Sequence, residues 1–278
     1  MPRPHIEFIQ TQMLTWEKSK TNSLALIKNL SSDKISGAST NIIRYPKNFE
    51  FNNTHFLECD EEFFILSGKI SINDHTYVKG DYAFFPVGHP REKIKCEQQT
   101  DILTYYEGNN KPVFSKKIPK IETSQLIIKL ETQKEDWGKA TDPKIAALGV
   151  KRLGLRSDPI SGETTWLLNI SPNMMDSEYD KKELHPVVEE VFVLSGEMHL
   201  PMGVLKKGAY FWRPPNISHG PVGTKKGAVG IFRSKGGPLT TEWSKKTYPV
   251  KWNADYTPVL PKSLISKLNI NYDKKHPY

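Results

Sequence analysis

Short apolar runs organise this chain, not long helical stripes. In the first half they are 62–66 (EFFIL), 69–73 (KISIN), 82–85 (YAFF) and 102–106 (ILTYY). In the second half they are 190–194 (EVFVL), 197–200 (EMHL), 210–213 (YFWR) and 228–233 (AVGIFR). Gly, Pro, Asn or Asp separates them, which is the punctuation of strands joined by turns. Two further runs, 40–45 (TNIIRY) and 165–170 (TWLLNI), are β-branched and apolar in the same way. Only 262–268 (KSLISKL) reads as a short helix. The pattern predicts an all-β protein.

The two halves are copies. Glu61 maps to Glu189, Gly68 to Gly196, Gly80 to Gly208 and Pro86 to Pro214, each pair 128 residues apart. Upstream, 32–37 (SDKISG) recurs as 157–162 (SDPISG) at an offset of 125, so three residues enter the second copy before the main frame starts. Asp and Gly in that six-mer suit a turn between strands. Gly68 and Gly196 follow a strand where a positive φ is needed, and Pro86 and Pro214 end strands because proline cannot donate to a ladder. A repeat this long is no solenoid unit. It implies a duplicated all-β domain, 1–125 and 126–278, each copy a small barrel or sandwich.

Composition adds limits. At 278 residues each half is long enough for its own core. No apolar run approaches a membrane span, and the start of the chain lacks the apolar stretch of a secretory signal, so the cytoplasm is the expected compartment. Formal net charge is +8, but the lysine pairs are scattered and no basic stripe interleaved with aromatics forms; nucleic acid and membrane are not expected partners. The charge does suit an anionic small molecule. Cys59 and Cys96 have no CxxC or CxxH neighbours, and free thiols are expected.

The copies differ where chemistry would sit. The second reads Glu183, His185, Glu189, then Gly208, Pro214 and His219; the first has His55, Leu57, Glu61, then Gly80, Pro86 and Arg91. This frame resembles the two motifs of the cupin superfamily, HxH-x3-4-E-x6-G and G-x5-PxG-x2-H. Two copies in one chain look like a bicupin. The resemblance covers about residues 35–108 and 160–237 and implies two double-stranded β-helix (jelly-roll) barrels with the motif residues at the mouth. It also implies a metal held by His185, Glu189 and His219. Glu183 stands in place of the first histidine, as a fourth ligand, a surface carboxylate or a neighbour that orients a ligand histidine. By strand parity Glu183, His185 and Glu189 share a face and Glu190 points away, to the other surface. Two imidazoles and a carboxylate suit Fe(II) first, with Mn(II) or Zn(II) accommodated. In copy one Leu57 and Arg91 replace two ligands, and arginine does not bind metal. A salt-bridged cluster of His55, Glu61 and Arg91 is expected there instead, with His89 reaching in only if its loop is displaced.

Arg213, Tyr210 and Trp212 are candidates for lining the substrate pocket, with barrel core as the other reading. Arg213 is a possible clamp for a substrate carboxylate. Parity separates Arg213 and Phe211 from Trp212 without telling which faces inward. The resemblance implies a metal-dependent enzyme of small molecules, a dioxygenase-like oxidoreductase. Lyase, isomerase or decarboxylase chemistry, or a non-catalytic ligand-binding bicupin, are the alternatives. It also suggests a homodimer.

Overall fold

The computed structural model describes residues 2–115, 117–174, 180–266 and 271–278. Strand is the dominant element; the helices are short turns such as Pro143–Ala147 and Lys262–Ile265. The second of these is the helix expected at 262–268, of which 267 and 268 lie outside the described residues. No helix among the described residues is long and apolar enough to cross a membrane.

The chain divides into two compact units. Unit 1 comprises Met1–Arg3 and Thr15–Glu135; unit 2 comprises Pro4–Leu14 and Asp136–Tyr278. The main sheet of unit 1 runs, in spatial order, Ile127–Glu131, Asp81–Phe85, Glu61–Ser67, Thr100–Tyr106, Ser39–Tyr45, Leu26–Ser32 and Glu17–Lys18. Unit 2 repeats the order with Ile6–Gln10, Ala209–Arg213, Val188–Leu200, Ala228–Lys235, Thr164–Ile170, Lys151–Ser157 and Gly138–Lys139. In unit 1 a smaller sheet of Phe49–Phe51, Ile94–Cys96, Lys69–Ile72 and His75–Val78 faces a core of Phe63, Ile65, Ile70, Tyr77 and Phe85. The equivalent core of unit 2 is built on Phe8, Trp166, Val191, Val193, Phe211 and Phe232. Each unit is the jelly-roll barrel that the resemblance implies, and every strand predicted from the apolar runs is present. The runs 190–194 and 197–200 are one strand, Val188–Leu200, bent through Gly196. The six-mer turns are present too: Asp33 and Asp158 each accept the amide two residues on, at 2.8 Å.

The division at 125/126 needs correcting. The first strand of each copy joins the sheet of the other unit. Ile6–Gln10 pairs with Ala209–Arg213, and Ile127–Glu131 pairs with Asp81–Phe85. The chain passes to unit 2 at Arg3/Pro4, back to unit 1 at Leu14/Thr15 and to unit 2 again at Glu135/Asp136; the last two points are equivalent, 121 residues apart. Both exchanged strands end in the same Thr-Gln pair. Thr11 Oγ1 donates to the carbonyl of Gly208 at 2.7 Å, and Thr132 Oγ1 to that of Gly80 at 2.7 Å. Each such strand completes a barrel edge that would otherwise present unpaired backbone groups.

The strands in the middle of both main sheets are buried on both faces. Asp81–Phe85 and Ala209–Arg213 are buried at every position. Glu190, expected at the surface, is therefore interior: it accepts from the Tyr210 hydroxyl at 2.7 Å and pairs with Arg233 at 2.8 Å. Glu62 and Tyr82 repeat the carboxylate–phenol pair in unit 1 at 2.7 Å. A buried carboxylate requires such partners.

Candidate metal centre

The site in unit 2 is assembled from two short antiparallel stitches. Glu183 and His219 exchange both backbone hydrogen bonds, each 2.9 Å, and the amide of Asn216 donates to the carbonyl of His185 at 2.8 Å. Asn216 takes φ 62°, which lets the chain turn after Pro214-Pro215 and return His219 to the barrel mouth. The strand Lys181–Leu184 carries Glu183 to the same place, and Glu189 enters from the adjoining strand Val188–Leu200.

Three of the expected ligand residues, Glu183, His185 and His219, bring ligand atoms within 4.8 Å of one another, and no other such group of His, Cys, Asp or Glu occurs among the described residues. Glu189 reaches the same point: its Oε2 is 3.7 Å from His185 Nε2 and 3.6 Å from His219 Nε2. Glu183 Oε2 is 3.8 Å from His185 Nε2. Ligands about 2.1 Å from a tetrahedral ion lie roughly 3.4 Å apart, so these separations suit a metal between them.

The tautomers point the same way. His185 Nδ1 faces the carbonyl of Thr240 at 2.9 Å, and His219 Nδ1 that of Ile217 at 3.0 Å. A carbonyl only accepts, so each Nδ1 carries the proton and each Nε2 keeps its lone pair. The His185 Nε2 is buried with no hydrogen-bond partner. Backbone acceptors that fix both rings this way are the usual outer support of metal-bound histidines.

Charge around the site is ordered by Arg213. Its guanidinium forms close ion pairs with Glu189 and with Glu7, the latter from the exchanged strand, and Nε donates to Glu7 Oε2 at 2.8 Å. His5 Nε2 lies 3.1 Å from the same Glu7 oxygen. Burial works against ionisation of Glu7, but Arg213 outweighs it and holds the carboxyl down at about 2. Glu189 is likewise held below its ordinary value: burial opposes this, and Arg213 with the two histidines prevails. Burial and then the nearby charge of Arg213 push His219 down to about 4, so it is neutral and ready to ligate. Glu183, buried and next to Glu189, is raised to about 7.

The cluster lines one side of a cavity of about 500 Å³. Most of its wall is apolar, with Trp166, Met198, Phe211 and Phe232 among the larger side chains. The pocket expectation is thus split. Arg213 and Phe211 face the cavity, whereas Tyr210 and Trp212 lie on the opposite face of their strand and do not line it. Nor does Arg213 serve as a clamp for substrate, since Glu7 and Glu189 already engage its guanidinium. Sequence reading missed Glu7. The signal that would have found it is the second, weaker repeat, Ile6/Ile127, Thr11/Thr132, Gln12/Gln133 and Trp16/Trp137, each 121 residues apart.

Unit 1 has the same frame and a filled centre. Arg91 sits where His219 does, with the same backbone pairing to its partner strand, and forms a close ion pair with Glu61. The adjoining cavity is about 30 Å³. His55 is not part of the ion pair; its Nδ1 faces the Asn53 carbonyl at 2.8 Å and its ring packs on Phe51 and Phe114. His89 packs at a tilt against Phe85, ring centroids 4.2 Å apart, without joining Glu61. Cys59 and Cys96 are free thiols, as expected.

Two jelly-roll barrels, the second with a His/Glu cluster beside its cavity, are the architecture that the sequence resemblance implies. Residues 7–239 match the family model described as Domain of unknown function (DUF4437), and the chain belongs to that family. No curated protein matches the chain by sequence. Among solved structures, it is similar to a "putative dioxygenase" from Nostoc punctiforme PCC 73102, at 21% identity and TM-score 0.78, over 90% of this chain and 92% of that one. A deletion mutant of Bacillus subtilis oxalate decarboxylase aligns at 12% identity and TM-score 0.55, over 85% and 78% of the two chains. The E. coli protein Ylba aligns at 14% identity and TM-score 0.58, over 83% and 90%. At these identities the likeness is one of fold.

Proposed function

We propose that unit 2 is a metal-dependent enzyme of small molecules, with a dioxygenase-like oxidoreductase activity. The observation that carries this reading is the pair of Nε2 lone pairs on His185 and His219, turned toward two carboxylates beside an apolar cavity. In this reading His185, His219 and Glu189 hold the ion. Glu183 completes the set once it loses its proton. Two imidazoles with carboxylates suit Fe(II), and also Mn(II) or Zn(II). Such an ion supplies Lewis acidity and, if redox-active, one-electron chemistry.

The chain's own residues do the rest. Arg213 anchors Glu189 and keeps it ionised, and the carbonyls of Thr240 and Ile217 fix the two rings. The apolar wall excludes water and leaves room for a substrate of ordinary metabolite size, since small-molecule sites span about 300–1,000 Å³. The Nostoc likeness favours oxygen chemistry, whereas the oxalate decarboxylase likeness favours carbon–carbon cleavage without net oxidation. A homodimer in the cytoplasm belongs to the same reading.

The test is elemental analysis of gently purified protein, followed by oxygen-electrode and CO2-release assays on chelating substrates. About one equivalent of metal per chain and oxygen uptake are expected. His219→Ala should keep the far-ultraviolet spectrum and lose the metal. Full metal retention by that variant overturns the ligand set; a metal-free, folded wild-type protein overturns the enzyme reading; CO2 release without oxygen uptake moves it to the decarboxylase class.

A further inference from the structure

The cavity of unit 2 contains a cation that the metal centre does not use. Arg152, on the strand Lys151–Ser157, lines the same pocket as His185 and His219. Its guanidinium lies over the Trp166 ring at 4.6 Å, and Nη1 donates to Thr141 Oγ1 at 3.1 Å. Its Nε is buried and has no hydrogen-bond partner. Among the described residues no carboxylate pairs with it. Asp142, the nearest acid in the wall by sequence, is occupied: it caps the helix Pro143–Ala147 through the amide of Lys144 at 2.7 Å and accepts from Trp243 Nε1 at 3.3 Å. Burial depresses the Arg152 pKa with no acid to offset it, the opposite of Arg213, where burial also lowers the value but Glu7, Glu189 and Glu183 together raise it.

An unpaired guanidinium with a buried, orphaned Nε costs free energy unless something occupies it. With Nη1 held by Thr141 and one ring face covered by Trp166, the fork without a protein partner is Nε with Nη2. That edge matches the two oxygens of a carboxylate. Trp166 stacks on Phe232, centroids 5.7 Å apart, so an aromatic and aliphatic wall adjoins the cation. Lys181 lines the pocket as well and adds positive potential.

We propose that this pocket binds an organic carboxylate with an apolar body, anchored by Arg152 through Nε and Nη2. The proposal rests on reading this pocket as the working site, but does not require the metal. The carboxylate role expected of Arg213 thereby passes to Arg152. Arg213 balances the ligand cluster, and Arg152 recognises substrate.

The probes are 4-phenylbutanoate and its neutral isostere 4-phenylbutanamide, titrated calorimetrically into the full chain, once stripped with chelator and once loaded with Mn(II). Wild type is expected to bind the acid at least about tenfold more tightly than the amide in both forms, the usual scale of a charge-assisted fork. Arg152→Gln should abolish that preference and leave amide binding unchanged, while Lys251→Gln at an exposed site should change neither. Arg152→Lys keeps charge without the fork and should lose most of the preference, which covers the case in which the glutamine variant fails to fold. Equal binding of acid and amide, binding of neither, or a preference that survives Arg152→Gln overturns the proposal. A preference seen only with Mn(II) and intact in Arg152→Gln overturns it while supporting the metal centre. An Arg152-dependent preference in a protein that takes up no metal supports it while the metal reading falls.

Discussion

Glu7 is the residue whose removal tests how unit 2 is held together. It lies on the exchanged strand and its side chain is only 3% exposed. Arg213, equally buried, is shared between Glu7 and Glu189. Glu7→Gln keeps the shape and removes the charge. Its carboxyl falls from 4.5 to about 2 on folding. Each tenfold change in proton affinity is worth about 1.4 kcal/mol, so ionised Glu7 stabilises the metal-free fold by about 3 kcal/mol. Breaking a buried ion pair by removing one partner costs about 3–5 kcal/mol, which agrees. In a domain of roughly 150 residues that is a fall in Tm of about 6–12 °C.

The assay is thermal and urea unfolding of chelator-treated protein at pH 7, with Glu7→Gln, Arg213→Gln and the double variant. The double variant should lose less than the sum of the singles by about 2 kcal/mol or more, because the pair is coupled. The pH dependence has a definite sign. A carboxyl depressed by folding contributes fully above its unfolded value of 4.5, and the contribution is lost as pH falls toward 2. Wild type and Glu7→Gln should therefore converge in stability on acidification. A Glu7→Gln protein melting within about 2 °C of wild type at pH 7, or strictly additive variants, would refute the network.

Three other outcomes follow from the same geometry. Metal uptake at pH 6–6.5 should release protons into weak buffer, since Glu183 is raised to about 7 and must deprotonate to ligate; affinity should drop as pH falls below that value, and Glu183→Gln should remove the release. Gly196→Ala should cost about 3 kcal/mol or more, because φ is 75° and a Cβ would stand 2.0 Å from the Gly227 carbonyl, whereas Gly154→Ala, with nothing within 4 Å, should change stability by under about 1 kcal/mol in unfolding titrations. Cys59 and Cys96, both buried with thiols raised to about 11 by burial, should stay unreactive to a disulfide reagent at pH 8 until denaturant is added.

The barrels were legible in sequence because turns demand particular residues. Gly68 and Gly196 are spelled alike since both take a positive φ against a crossing carbonyl, and no other residue fits. The cluster of Glu183, His185, Glu189 and His219 was legible because its spacing is fixed by that frame. The orientation of Arg213 was not, because parity separates two faces without naming the inner one. Pairing of Val191 with both Phe211 and Phe232, all core residues, settles it. Glu190 was misplaced because a rule of one wet face fails on strands buried on both. The strand exchange escaped notice because its repeat preserves scattered identities in two short strands with no motif of their own.

The two units answer one electrostatic question differently, and the answer decides which can hold a ligand. Glu61 and Glu189 are equivalent carboxylates on equivalent strands, and each needs a cation. In unit 1 the cation is Arg91, placed where His219 stands in unit 2, so the same side chain neutralises the glutamate, replaces the imidazole and occupies the space; about 30 Å³ remains. In unit 2 the arginine has moved to position 213, equivalent to Phe85, and approaches Glu189 from the sheet. That leaves His219 in place and about 500 Å³ open. A cation moved off the mouth needs a second anion inside the wall, and Glu7 is that anion, where the partner strand in unit 1 has Ile128. Arg213 and Glu7 are therefore one change in two places, and reverting either alone strands a buried charge beside the histidines.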